Sequence, residues 1–168
     1  MELLIGCGST RDKRMMVNGK VDWDKLVTLD YNPDHKPDVV CNLNYFPYPF
    51  EDNTFDEIHA YEVLEHTGKQ GDYQFFFRQF SEFWRILKPM GHLLATCPSR
   101  HSAWAWGDPS HTRIVQQENL VFLSQRAYRE QVGKTSMSDF RNLYKADFET
   151  VYAHDDRDTF RFIIRAIK

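Results

Sequence analysis

No stretch of this 168-residue chain is apolar for long enough to read as a membrane span, and it opens on a strand-like segment instead of a signal peptide. Cysteine is scarce. Cys7, Cys41 and Cys97 each sit in or just after an apolar run without paired spacing, which argues against a disulfide framework and for reduced thiols in a cytoplasmic protein. Charge of one sign is also missing: the formal net charge is −3, and the last third is only mildly basic. A nucleic-acid surface usually carries a denser basic patch, so that partner is weakly supported. No repeat or long linker divides the chain, and its length suits one domain with a single core.

Glycine is sparse too, but two of the few fall where they carry most meaning. An apolar strand, residues 1–5, runs into the tight turn Gly6-Cys7-Gly8. A second apolar run, Leu26–Asp30, ends on a carboxylate twenty-two residues after Gly8. A doubly wound α/β protein holds a nucleoside in this way: the glycines let the backbone approach the ligand closely, and the acid accepts hydrogen bonds from ribose hydroxyls. A dinucleotide fingerprint would want a third glycine where Arg11 stands, and a Walker-type loop would need a Gly-Lys-Ser/Thr close. Neither is present, so a nucleoside without a diphosphate fits better than NAD.

Further along, Val39–Cys41 reads as a short third strand and residues 55–60 as a fourth, leading into Tyr61–His66. Phe76, Phe80, Phe83, Trp84 and Leu87 recur at helical spacing and predict a helix ended by Pro89 and Gly91; His92–Cys97 is the fifth strand. Residues 99–113 form a polar, Trp-containing loop, and residues 116–132 hold one or two short helices. Phe148–His154 and Thr159–Lys168 read as a terminal hairpin. Strands alternating with helices imply a doubly wound, mostly parallel sheet with right-handed crossovers, to which the hairpin adds an antiparallel edge. The segment near residues 9–25 lacks a helical period, so one sheet face should be thinly covered there.

Together these residues resemble a class I S-adenosylmethionine-dependent methyltransferase of the small methyltransferase type 11-like group. The resemblance rests on Ile5–Gly8, Leu29-Asp30, Val40–Leu43, Pro49–Ile58, Val63–His66 and Trp84–Leu93, in that order. Asp108–Arg113 further resembles a loop of short bacterial and phage members. The family likeness implies a Rossmann-like, seven-stranded sheet whose last strand is antiparallel. It also implies that residues 1–98 form the cofactor-binding core, residues 99–146 the acceptor side and residues 147–168 the terminal hairpin. By that likeness Gly6, Cys7 and Gly8 pass beneath the methionine part of S-adenosylmethionine. Asp30 takes the ribose diol, Tyr31 lies beside the adenine, Asn42 and Leu43 face it, and Ala60 and Tyr61 lie near the sulfonium. Two departures stand out: many members carry an acid where this chain has Leu4, and an Asp where it has Asn42.

Methyl transfer from a sulfonium depends mainly on in-line approach, and a base is needed only where the acceptor must lose a proton. The loop after the fifth strand should overhang the acceptor, because open parallel sheets bind ligands at their strands' carboxyl ends. Within it His111 and Asp108 are the catalytic candidates, and a histidine's unperturbed pKa suits it to act as a base near neutrality. Trp104 and Trp106 could wall an acceptor pocket or plug it. No metal is expected: Glu62 and His66 are four residues apart, but two ligands without a third make no site. The acceptor expected is a small molecule or glycan. The alternatives are a cofactor-binding module that has lost catalysis, with a structural or regulatory role, and a methyltransferase of proteins or nucleic acids.

Overall fold

The computed structural model describes residues 1–17 and 19–168. Seven strands form one sheet: β1 Glu2–Ile5, β2 Leu26–Asp30, β3 Val39–Val40, β4 Phe55–Tyr61, β5 Leu87–Pro98, β6 Phe148–Asp155 and β7 Thr159–Ala166. Their order is β3-β2-β1-β4-β5-β7-β6, parallel except where β7 runs antiparallel to both of its neighbours. This is the expected seven-stranded, mostly parallel α/β sheet with an antiparallel terminal hairpin. The direction of winding reverses between β1 and β4, and such a switch point opens a crevice at the strands' carboxyl ends.

Alternation along each strand sorts side chains to the two faces. Leu3, Ile5, Ile58, Ala60, Leu93, Ala95, Phe160, Phe162 and Ile164 point to one face. There they meet helix α1 (Tyr73–Ile86) through Phe77, Phe80, Phe83 and Ile86, and the short helices α2 (Gln117–Val121) and α3 (Gln125–Gln131) through Leu120 and Tyr128. The opposite face has a much smaller apolar cluster, Leu4, Cys7, Met15, Tyr61 and Leu94. No helix is assigned to the described residues of 9–25, so a coil lies where a crossover helix could have stood. Part of that face is polar: the buried Lys13 ammonium lies 3.1 Å from Glu2 and 3.2 Å from Glu57, and Glu57 in turn meets His59 at 2.9 Å.

Helix α1 opens on Asp72, whose carboxylate accepts from the Phe75 N–H at 2.9 Å. It stops at Ile86, three residues before Pro89, because Leu87 already pairs with Phe55 in the sheet. Pro89 and Gly91 therefore punctuate a strand and not a helix. The ladder resumes at His92 opposite Glu57, and residues 88–91 bulge out between the two pairs, which accommodates a residue with no N–H to donate. The buried stripe is also turned from the expected one: Phe77 is buried, whereas Phe76 and Trp84 are half-buried. Among the described residues no helix is long and apolar enough to cross a membrane.

Candidate active site

At the β1/β4 switch point lies a groove of about 470 Å³, within the range of small-ligand sites. Gly6, Gly8, Asp30, Tyr31, Asn42, Leu43, Glu62 and Val63 line it. Gly6 has φ +59°, and a Cβ there would overlap the Val63 side chain, so only glycine fits. Gly8 also has positive φ (+52°), but no atom lies within 4 Å of its would-be Cβ, which leaves the backbone open toward a ligand.

Asp30, buried at the end of β2, braces this turn. Its Oδ2 accepts from the Gly8 N–H at 2.9 Å, and its Oδ1 accepts from the Asn32 N–H at 2.9 Å. A carboxylate has about four acceptor positions, so lone pairs remain for a diol. Tyr31 stands exposed at the rim. Asn42 uses its Oδ1 to fix the Asn44 N–H at 2.9 Å, and Leu43 is held through its carbonyl, which accepts from the Tyr48 hydroxyl at 3.1 Å.

Three other candidates stand apart from the groove. Ala60 is completely buried in the main core. Cys7 and Tyr61 point to the opposite face of the sheet, where the Tyr61 hydroxyl accepts from the Met15 N–H at 3.1 Å and the Arg14 N–H at 3.2 Å. Their places on the groove wall are taken by Glu62 and Val63. Glu62 is non-glycine at φ +55°, a conformation with a steric cost that often marks a functional position.

Glu62 also lines a second cavity of about 500 Å³, together with Ser102, Trp104, Asp108, His111 and Thr159. His111 and Asp108 thus lie beside the first groove, which shares Glu62 with this cavity. The His111 Nδ1 faces the Trp104 and Ala105 carbonyl oxygens at 2.9 and 3.3 Å, while its Nε2 is 3.8 Å from Asp108 Oδ2. Asp108 is bonded to Ser110, whose side chain and backbone hold its carboxyl below the usual carboxylate range. The terminal hairpin reaches this cavity too, because Ser99 after β5 is tied to Asp158 O at 2.9 Å and Asp155 Oδ2 at 3.0 Å.

The Leu64–His66 turn after β4 holds the loop carrying His111. Thr112 N–H donates to the Glu65 carbonyl at 2.8 Å, and the buried Arg113 guanidinium donates to the Leu64 carbonyl at 2.8 Å, the Thr67 hydroxyl at 3.0 Å and the Gln79 amide. Beneath them Glu65 is 2% exposed, and burial pushes its carboxyl up to about 8. Arg113 has no signal in the sequence, because only the long-range pairing of two loops gives it a role. Glu62 stands out in the sequence only as one of two metal-ligand types four residues apart, and a positive φ leaves no mark there.

The family described as a methyltransferase domain matches residues 3–95. Among solved structures, a SAM-dependent methyltransferase from Archaeoglobus fulgidus is 14% identical, with 98% of this chain and 85% of that one covered at a TM-score of 0.56. The N-methyltransferase NodS from Bradyrhizobium japonicum WM9, crystallised with S-adenosyl-L-homocysteine, is 15% identical over 99% of this chain and 78% of its own, at 0.52. A further S-adenosylmethionine-dependent enzyme, from Mesorhizobium loti, is 14% identical over 98% and 89%, at 0.53. No functionally curated protein matches the chain. The family match covers more than half of the chain, and the neighbours share its fold throughout: this protein belongs to the methyltransferase domain family and is an S-adenosylmethionine-dependent methyltransferase.

Proposed function

We propose that the protein binds S-adenosylmethionine in the groove between Gly6, Asp30, Asn42 and Glu62 and passes its methyl group to a small molecule or glycan in the adjoining cavity. The observation that carries this reading is the shared wall: Glu62 borders both spaces, so a donor and an acceptor held there meet at one side chain. Gly8, Tyr31 and Leu43 complete the proposed cofactor contacts, whereas Cys7, Ala60 and Tyr61 support the turn and the sheet from behind. His111 and Asp108 are the proposed catalytic pair. His111 directs Nδ1 at carbonyl oxygens, which only accept, so its Nε2 keeps a lone pair for the proton of a hydroxyl or amine acceptor. Trp104 and Trp106 are 69% and 57% exposed and leave the cavity unplugged, which favours an enzyme over a binding module that has lost catalysis.

Calorimetry with S-adenosylmethionine and S-adenosylhomocysteine tests the cofactor half. Losing hydrogen bonds to a charged acceptor costs about 1.5–3 kcal/mol, so Asp30→Ala should weaken binding roughly 10- to 100-fold, while NAD should not bind. Equal affinity of the parent and Asp30→Ala would overturn the assignment. Screening acceptors with radiolabelled cofactor tests the other half, with His111→Ala expected to lower turnover at nearly unchanged cofactor affinity.

A further inference from the structure

Glu65, His66 and His111 each bring one ligand atom to a common point, all within 4.8 Å of one another. In the sequence Glu65 and His66 are neighbours and His111 lies far downstream, so the third member appears only when the 108–113 loop docks on the Leu64–His66 turn. Both oxygens of the buried Glu65 carboxylate lack a hydrogen-bond partner. The Cys97 thiol, a weak donor, lies beside it. Leaving an acid in that state is costly unless something positive is meant to meet it.

The hydrogen bonds around the two imidazoles point the same way. Ser110 Oγ has a single hydrogen and gives it to the Asp108 carboxylate at 2.6 Å, so toward His66 Nδ1, 3.1 Å away, it can only accept. His66 therefore carries its proton on Nδ1 and leaves the Nε2 lone pair free, 3.9 Å from Glu65 Oε1. His111 is set likewise, with Nδ1–H directed at the Trp104 carbonyl. Fixing the far nitrogen of each ring through a carbonyl or a carboxylate-linked hydroxyl is how metal-binding histidines are oriented. A second cluster, Glu2, Glu57 and His59, makes the contrast plain, because Lys13 already supplies its positive charge.

The geometry points to a divalent-cation site formed by Glu65, His66 and His111 between the cofactor groove and the acceptor cavity. Two imidazoles and one carboxylate suit a first-row transition cation such as Zn²⁺ or Mn²⁺ and leave positions open for an exogenous oxygen. The cation's catalytic role rests on the proposed methyl transfer and implies an oxygen acceptor. The coordinated hydroxyl loses its proton to solvent, its oxygen takes the methyl, and the C–S electron pair remains on sulfur as S-adenosylhomocysteine. With the cation bound, polarisation of the acceptor replaces proton removal by His111 Nε2.

Metal binding can be measured on the full chain without an acceptor. After chelation and desalting, calorimetry with Zn²⁺ or Mn²⁺ should give one site per chain, and Co²⁺ substitution should give the visible absorption of a low-coordinate nitrogen-oxygen site. Glu65→Gln, which keeps the size and shape of the buried side chain and should fold, should lose about 100-fold or more in affinity. Ser110→Ala should lose about 10-fold by freeing the His66 ring. No binding by the parent, or binding unchanged in Glu65→Gln and His111→Gln, overturns the site. S-adenosylhomocysteine is titrated separately: its binding without metal binding sinks only the cation site, while metal binding without it sinks only the cofactor reading.

Discussion

At the scale of single residues, the two glycines of the first turn should separate fold from function. Gly6→Ala forces a Cβ into Val63 at positive φ and should cost about 1–3 kcal/mol of stability, read by urea unfolding. Gly8→Ala meets no protein atom, so it should fold more nearly like the parent but bind S-adenosylhomocysteine more weakly, read by calorimetry. Glu65 supplies a pH signature. Burial holds its folded pKa near 8 against a usual 4.5, so between these values the folded protein keeps a proton that the unfolded chain has released. Its contribution to stability therefore falls as pH rises from 5 to 8. Measured in chelator, Tm of Glu65→Gln should gain on the parent across that window, and a constant difference would contradict the shift. The glycines and Asp30 were legible because turn and strand end are local patterns. The outlook of Ala60 and Tyr61 was not: successive residues of β4 send their side chains to opposite sides, so the two do not both face the groove.

Among elements, the loop from Asp108 to Arg113 depends on side chains that no local pattern marks. Arg113→Met removes donors from the Leu64 carbonyl, Thr67 and Gln79 at once and should destabilise by about 3 kcal/mol or more in urea unfolding. Arg113→Lys keeps the charge without the fork and should lose less stability. In that variant any displacement of His111 should appear as lower turnover with S-adenosylhomocysteine affinity retained; retained turnover would deny the loop its positioning role. The helical period located α1, but its end was misplaced by proline: Pro89 sits in a bulge of β5, and the sequence carries no local sign that Leu87 already pairs with Phe55. The lack of a helical period near residues 9–25 correctly indicated a thin cover, yet the buried Lys13 between Glu2 and Glu57 depends on the register of β1 with β4.

For the whole molecule, the alternation of apolar runs made the mostly parallel sheet legible, whereas the concentration of helices on one face follows from where each crossover packs. The contribution of the terminal hairpin to the second cavity was equally hidden, since the ties from Ser99 to Asp155 and Asp158 join segments far apart in sequence. Glu62, standing between groove and cavity, has a kinetic consequence. Both spaces are open to solvent, so occupation of one leaves the other accessible, and neither reactant needs to arrive first. Once an acceptor is in hand, initial-rate plots should intersect, and a dead-end acceptor analogue should inhibit noncompetitively against S-adenosylmethionine. Uncompetitive inhibition would reveal a compulsory sequence in which the cofactor must shape the acceptor's berth. A methyltransferase whose two spaces share one carboxylate wall is thus expected to work as a random-order machine, with timing left to the concentrations of its two reactants.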